Sequence, residues 1–185
     1  MTRDPTRSTS APSPSGAASP GELAIRFASA ADVPTILRFI RALARYEKLQ
    51  HEVVADEAAL HTTLFGPRPA AEVVLAELSG AAVGFALFFT SYSTFLARPG
   101  LYLEDLFVEP DARGNGVGQA LMSALARIAV DRDYGRFEWA VLDWNEPALK
   151  VYRAVGAVPM GEWTVQRMTG APLADLAAKW PHPIR

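Results

Sequence analysis

Apolar residues stand at alternate positions in Leu23, Ile25 and Phe27, the spacing of a half-buried strand. Ser29, followed three residues later by Asp32, has the form of a helix-capping box. Val33, Ile36, Leu37, Ile40 and Leu43 then recur at helical spacing, which predicts a helix to about Lys48. A weaker helical stretch covers roughly Asp56 to Phe65 and stops at Gly66-Pro67. Three strand-like runs follow, Glu72 to Leu78, Val83 to Thr90 and Leu101 to Val108, and Ser79-Gly80 joins the first two as a hairpin turn would. From Gly116 to about Arg132, the residues Val117, Leu121, Leu125 and Ile128 mark one helix face. Phe137 to Leu142 reads as a further strand, Pro147 to Val155 as a short helix and Trp163 to Met168 as a last strand, with a helix from Leu173. No internal repeat is visible. This succession predicts an α/β (α+β) fold, a mixed sheet covered by helices.

Residues 1–20 hold four of the fourteen prolines and five serines, with Met1 as the one sizeable apolar side chain. Such a segment cannot bury enough surface to offset its ordering entropy, so residues 1–21 are expected to form a disordered Ser/Pro-rich tail before a single domain at 22–185. Half of the residues are hydrophobic, enough for one substantial core. The net charge of -2 argues against a dedicated nucleic-acid binder. No stretch approaches the roughly 20 apolar residues of a membrane helix, and no apolar segment follows the N-terminal arginines, so neither a membrane span nor a secretory signal is expected. The chain has no cysteine, which removes thiolate metal sites and any cysteine nucleophile and fits a reducing cytoplasm. His51, His61 and His182 show no ligand spacing, so no metal is expected.

The informative segment runs from Leu101 to Gly118 and opens directly into the amphipathic helix. Gly114, Gly116 and Gly118, after a strand and before a helix, gather backbone N–H groups where the helix dipole is positive. That is an anion site, most naturally for phosphate. A Walker loop would end in Gly-Lys-Ser/Thr, but Gln119 and Ala120 follow Gly118. The dinucleotide fingerprint would need a third glycine where Gln119 stands. What remains is Arg113-x-x-Gly116-x-Gly118, which resembles the signature of the GNAT acyltransferases, where this loop cradles the pyrophosphate of coenzyme A. Downstream, the stretch from Trp139 to Ala157, with Asn145 and Tyr152, resembles the second half of the GNAT core. LYLEDLFV, Trp144-Asn145-Glu146-Pro147, Arg45-Tyr46-Glu47-Lys48 and Glu162-Trp163 are similar to the diamine acetyltransferase subgroup, whose members acetylate polyamines such as spermidine or analogues such as thialysine.

The resemblance implies a mostly antiparallel sheet, acetyl-CoA as co-substrate, a small amine as acceptor and a homodimer. It assigns the cofactor to Phe107, Val108, Arg113, Gly114, Asn115, Gly116, Val117, Gly118, Asn145 and Tyr152. The strand ending at Phe107 and Val108, bulged in GNAT proteins, would offer backbone N–H groups to the thioester oxygen, where negative charge develops. Tyr152 occupies the general-acid position, and a phenol with a pKa of about 10 suits a departing thiolate. Asn145 would bind the pantetheine or phosphate region, or simply cap its helix.

A cationic acceptor calls for acids. The resemblance selects Glu104 and Asp105, with Tyr46 and Glu47 reaching in from the first helix and Trp163 as an aromatic wall. Glu104, directly or through a water chain, would remove the ammonium proton. Strict strand alternation sends Glu104 and Asp105 to opposite faces, so only some of these acids are expected in one pocket. Glu109 and Asp111 read as solvated surface. Two alternatives stay open, a protein or peptide amine as acceptor and an acyl-CoA-binding module without turnover.

Overall fold

A computed structural model describes residues 21–180 and 182. The expected N-terminal tail lies outside the described residues, apart from Gly21. The chain divides into two compact units, one ending at Leu142 and the other beginning at Asp143.

The first unit is built on a five-stranded sheet in the order β1-β2-β3-β4-β5. The strands are β1 (Leu23–Phe27), β2 (Glu72–Leu78), β3 (Ala81–Ser93), β4 (Arg98–Val108) and β5 (Phe137–Trp139). All neighbours are antiparallel except β4 and β5. Between them run α1 (Val33–Glu47), α2 (Glu57–Phe65) and α3 (Val117–Asp131). Ser29 and Asp32 form the expected box, the Asp32 carboxylate accepting from the Ser29 amide at 2.8 Å and from its hydroxyl at 2.9 Å. The Arg26 guanidinium holds the Asp32 carboxyl well below the usual carboxylate range. At the β2–β3 turn, Ser79 and Gly80 both take positive φ, 53° and 78°, the twist that a two-residue hairpin needs.

Val73 to Ala76 are buried without a break, because helices cover both faces of the sheet. On one face α1 packs Val33, Ile36, Leu37 and Phe39 against Val73, Leu75, Phe85 and Phe107. Phe39 stacks on Phe85 with ring centroids 5.6 Å apart and tilts toward Phe107 at 6.1 Å. Residues of the opposite parity, Val74, Ala86, Phe88, Leu101 and Leu103, are buried on the other face, where α3 contributes Val117, Leu121 and Leu125.

The second unit holds α4 (Glu146–Ala154) and α5 (Gly170–Ala178), joined by irregular chain. Two strand expectations need correction. Phe137 to Leu142 shortens to three residues, since β5 has register partners on β4 only at Leu101 to Leu103. Trp163 to Met168 forms no strand, and Trp163, Val165 and Met168 are exposed. Alternation makes a strand only where a ladder partner and a buried face exist, and the described ladders give this segment neither.

Candidate active site

The site begins with an irregularity in β4. Gly84 to Leu87 pair in order with Val108 to Asp105, but Phe88 then pairs with Leu103, so Glu104 has no partner on β3. One extra residue on one strand is a β-bulge. It corrects the expectation that Glu104 and Asp105 part to opposite faces. Asp105, opposite Leu87, shares the α1 face with Phe107 opposite Phe85, whereas Leu103 opposite Phe88 lies on the α3 face. Glu104, the inserted residue, stands outside the alternation.

The bulge sits where acids collect. Glu47 is the last residue of α1, and both its charge and that of Glu104 act on Asp105. Burial, then repulsion from Glu104 and Glu47, pushes the Asp105 carboxyl up to about 6. Burial also raises Glu47. Glu104 itself is exposed. Three carboxyls on two elements therefore share one region, with the half-buried member kept partly protonated near neutrality. A cation of matching length would relieve that repulsion.

Beyond the bulge, the backbone of β4 changes role. The Glu109 amide donates to the Val83 carbonyl at 2.9 Å, so the polar groups of Val108, one residue earlier, turn away from β3. On that side β5 accompanies β4 only as far as Leu103. The Val108 amide thus faces the edge that β5 does not cover, while the Phe107 amide faces β3. Of the two residues expected to offer a donor, Val108 has the suitable orientation.

The chain then turns through Pro110–Ala112 into the glycine loop. Gly114 and Gly116 have φ of +81° and +76°, a region that L side chains rarely enter, and a Cβ on either would meet nothing within 4 Å. The loop is therefore glycine-bearing for its conformation and open above its backbone. Gly116 precedes α3 and has no side chain to cap it, so the amides of Val117, Gly118 and Gln119 lack intrahelical acceptors, and no acidic residue stands in the first turn. The Asn115 side chain is turned inward, donating to the Ala112 carbonyl at 3.3 Å. An anionic pyrophosphate fits this row of amides.

Arg113 behaves differently from the rest of its motif. Its Nε donates to the Val108 carbonyl at 3.0 Å, and its guanidinium lies 5.0 Å from the Tyr46 ring centroid and 5.8 Å from that of Phe107. The first unit therefore brings Glu47, Glu104 and Asp105 into one group and Tyr46, Phe107, Val108 and Arg113 into another. Glu109 is ion-paired with Arg38 at the surface, as its solvated reading implied.

The remaining expected residues belong to the second unit. Asn145 caps α4, its Oδ1 accepting from the Ala148 amide at 3.4 Å. Tyr152 lies on α4, half-buried, and burial raises its phenol above the ordinary value. Trp163 is 74% exposed in the chain between α4 and α5. The resemblance implied a bulged strand, but the place of the bulge at Glu104, with the change of parity there, was missed from the alternation. Its signal was present in the apolar spacing of β4, where Leu101 and Leu103 are followed by Leu106 rather than by residue 105.

Known proteins share this sequence pattern and this fold. The sequence profile of the Acetyltransferase (GNAT) family matches residues 37–157. A thialysine N-epsilon-acetyltransferase of Bos taurus is 39% identical over 166 residues, covering 84% of this chain and 97% of its own length. An L-ornithine N5-acetyltransferase of Arabidopsis thaliana is 34% identical, covering 79% of this chain and 84% of its own. Among solved structures, an integron cassette protein of V. cholerae superposes with a TM-score of 0.70 at 28% identity, covering 84% of this chain and 97% of that one. A ribosomal-protein-alanine N-acetyltransferase of Brucella melitensis shares the fold, with a TM-score of 0.66 at 21% identity over 81% of this chain and 100% of that one.

Proposed function

The chain belongs to the GNAT family of acetyltransferases, and on that premise we propose that it transfers the acetyl group of acetyl-CoA directly to a primary amine of a small diamine, polyamine or lysine-like acceptor. The observation that carries this reading is the gathering of Glu47, Glu104 and Asp105 at the β4 bulge, with Asp105 raised to about 6. Such a cluster is electrostatically unfavourable alone and suits a small acceptor with more than one positive charge. Relatives that act on thialysine and ornithine support the substrate class.

Acetyl-CoA, when bound, supplies an activated thioester and a good leaving group. The amides from Gly114 to Gln119 hold its pyrophosphate, and the Val108 N–H donates to the carbonyl oxygen as charge builds there. Glu104, directly or through a water chain that it holds, accepts the proton of the incoming ammonium, which leaves the amine neutral and nucleophilic. Tyr152 gives a proton to the departing thiolate, and the proton that the attacking nitrogen loses as the amide forms restores the phenol. A phenol raised by burial holds that proton firmly until a comparably basic sulfur appears. Asn145 sets the start of the helix that carries Tyr152, and the resemblance assigns Trp163 to the acceptor. In this proposal residues 22–185 act as one catalytic domain, in the cytoplasm and as a homodimer, by resemblance to the subgroup.

The test follows CoA thiol release with a panel of thialysine, ornithine, lysine, spermidine and 1,3-diaminopropane. At least one amine turns over, and Tyr152→Phe lowers kcat about 100-fold with an unchanged KM for acetyl-CoA. Thiol release with none of the panel rejects the substrate class, and an unchanged rate in Tyr152→Phe removes that residue as the acid.

A further inference from the structure

Arg113 is the charged side chain of the glycine-loop motif, and its contacts run to the end of β4 and to α1. It roots the loop, yet its Nε is used at the end of β4, on the Val108 carbonyl, and its guanidinium covers the Tyr46 ring at 5.0 Å. Tyr46 is the penultimate residue of α1, and its neighbour Glu47 is the member of the acid cluster that α1 supplies. The helix stops immediately after, at Lys48 with φ 63°. Orientation of Glu47 therefore depends on how the last turn of α1 is held, and one of its attachments is the Arg113–Tyr46 contact.

We propose that Arg113 is a positioning residue that couples the two substrate sites. Closure of the amides at 114–119 on a pyrophosphate fixes the loop root, and with it the guanidinium plane. The guanidinium in turn holds Tyr46, which sets Glu47 against Glu104 and Asp105. The proposal rests on the acetyl-CoA and amine assignment above and adds that the two ligands tighten one another. Such coupling is reciprocal: the factor by which CoA improves amine binding equals the factor by which the amine improves CoA binding.

Calorimetric titration tests this, with CoA and thialysine as probes in the intact chain, each measured with and without the other. In the parent protein each ligand tightens the other about fivefold, the scale of a partly buried cation–π contact. Tyr46→Phe keeps the ring face and keeps the coupling. Tyr46→Leu and Arg113→Gln bring it close to one, and in Tyr46→Leu the affinity for CoA alone stays within about twofold of the parent value. Full coupling in Tyr46→Leu overturns the proposal. So does an Arg113→Gln variant that only weakens CoA while coupling persists, because the guanidinium then acts on the anion itself. Independent binding of both ligands to the parent protein overturns the proposal and leaves the amine reading standing. Failure of thialysine to bind at all, with every other amine of the panel also silent, rejects both.

Discussion

Two charged sites lie within fifteen residues of one another, and they are made of different materials. At the β4 bulge, negative charge comes from the side chains of Glu104 and Asp105, joined by Glu47, and it is held against burial and mutual repulsion. At the glycine loop, positive character comes from backbone amides at the start of α3, where the only demand is a conformation that glycine adopts freely. The first arrangement is costly in the free protein and responds to protonation. The second is cheap and indifferent to pH. A carboxylate cluster can be read and altered residue by residue, whereas an amide cradle is disturbed mainly by adding a Cβ.

The largest expected effect is therefore on the side-chain site. Asp105→Asn should lower kcat/KM for the amine about 100-fold by removing a half-buried partner of the ammonium, with the KM for acetyl-CoA unchanged at saturating amine. The same variant should be more stable. Because Asp105 is raised from its ordinary value to about 6, its ionisation opposes folding. That penalty is absent below the ordinary carboxylate range, grows as the pH climbs toward 6 and is complete above it. Denaturation at pH 7.5 should show Asp105→Asn more stable by about 1–3 kcal/mol, with the gain vanishing near pH 4. A variant equally stable at both pH values would show that the cluster carries no such tension.

On the backbone site, Gly116→Val forces a β-branched residue to φ +76° and should raise the KM for acetyl-CoA about 30-fold while the amine KM, measured at saturating acetyl-CoA, holds. A loss of amine affinity that persists at saturating acetyl-CoA would blur the distinction between the two sites. The smallest effect belongs to Glu109, an acid close in sequence to both sites but paired with Arg38 at the surface. Glu109→Gln should leave turnover within about twofold and stability within about 1 kcal/mol.

Much of this was legible beforehand. β2, α1, α2 and α3 follow from apolar spacing and caps because each buries side chains at regular spacing, and β1 follows from its alternation although Phe27 is exposed. The glycine loop is legible for the same kind of reason, since its requirement is local. What alternation misplaced was non-local. Trp163 to Met168 has a strand's pattern without a ladder to join, and Phe39, fully buried between Phe85 and Phe107, lies off the helical stripe counted from Val33. The direction taken by Arg113 depends on a ring 67 positions away in the sequence. A motif specifies that residue but says nothing of the tyrosine it covers.

The bulge at Glu104 also bears on how related chains are lined up. Position 104 carries the parity of everything after it, so a one-residue gap between Leu103 and Phe107 in a relative is not a neutral indel. Removing that residue would send Asp105 to the α3 side or drag Phe107 out from beneath Phe39, according to which half of the strand held its register. Two chains that both spell Glu-Asp in this strand but differ there by a single gap should be regarded as having different acceptor sites, whatever their percentage identity.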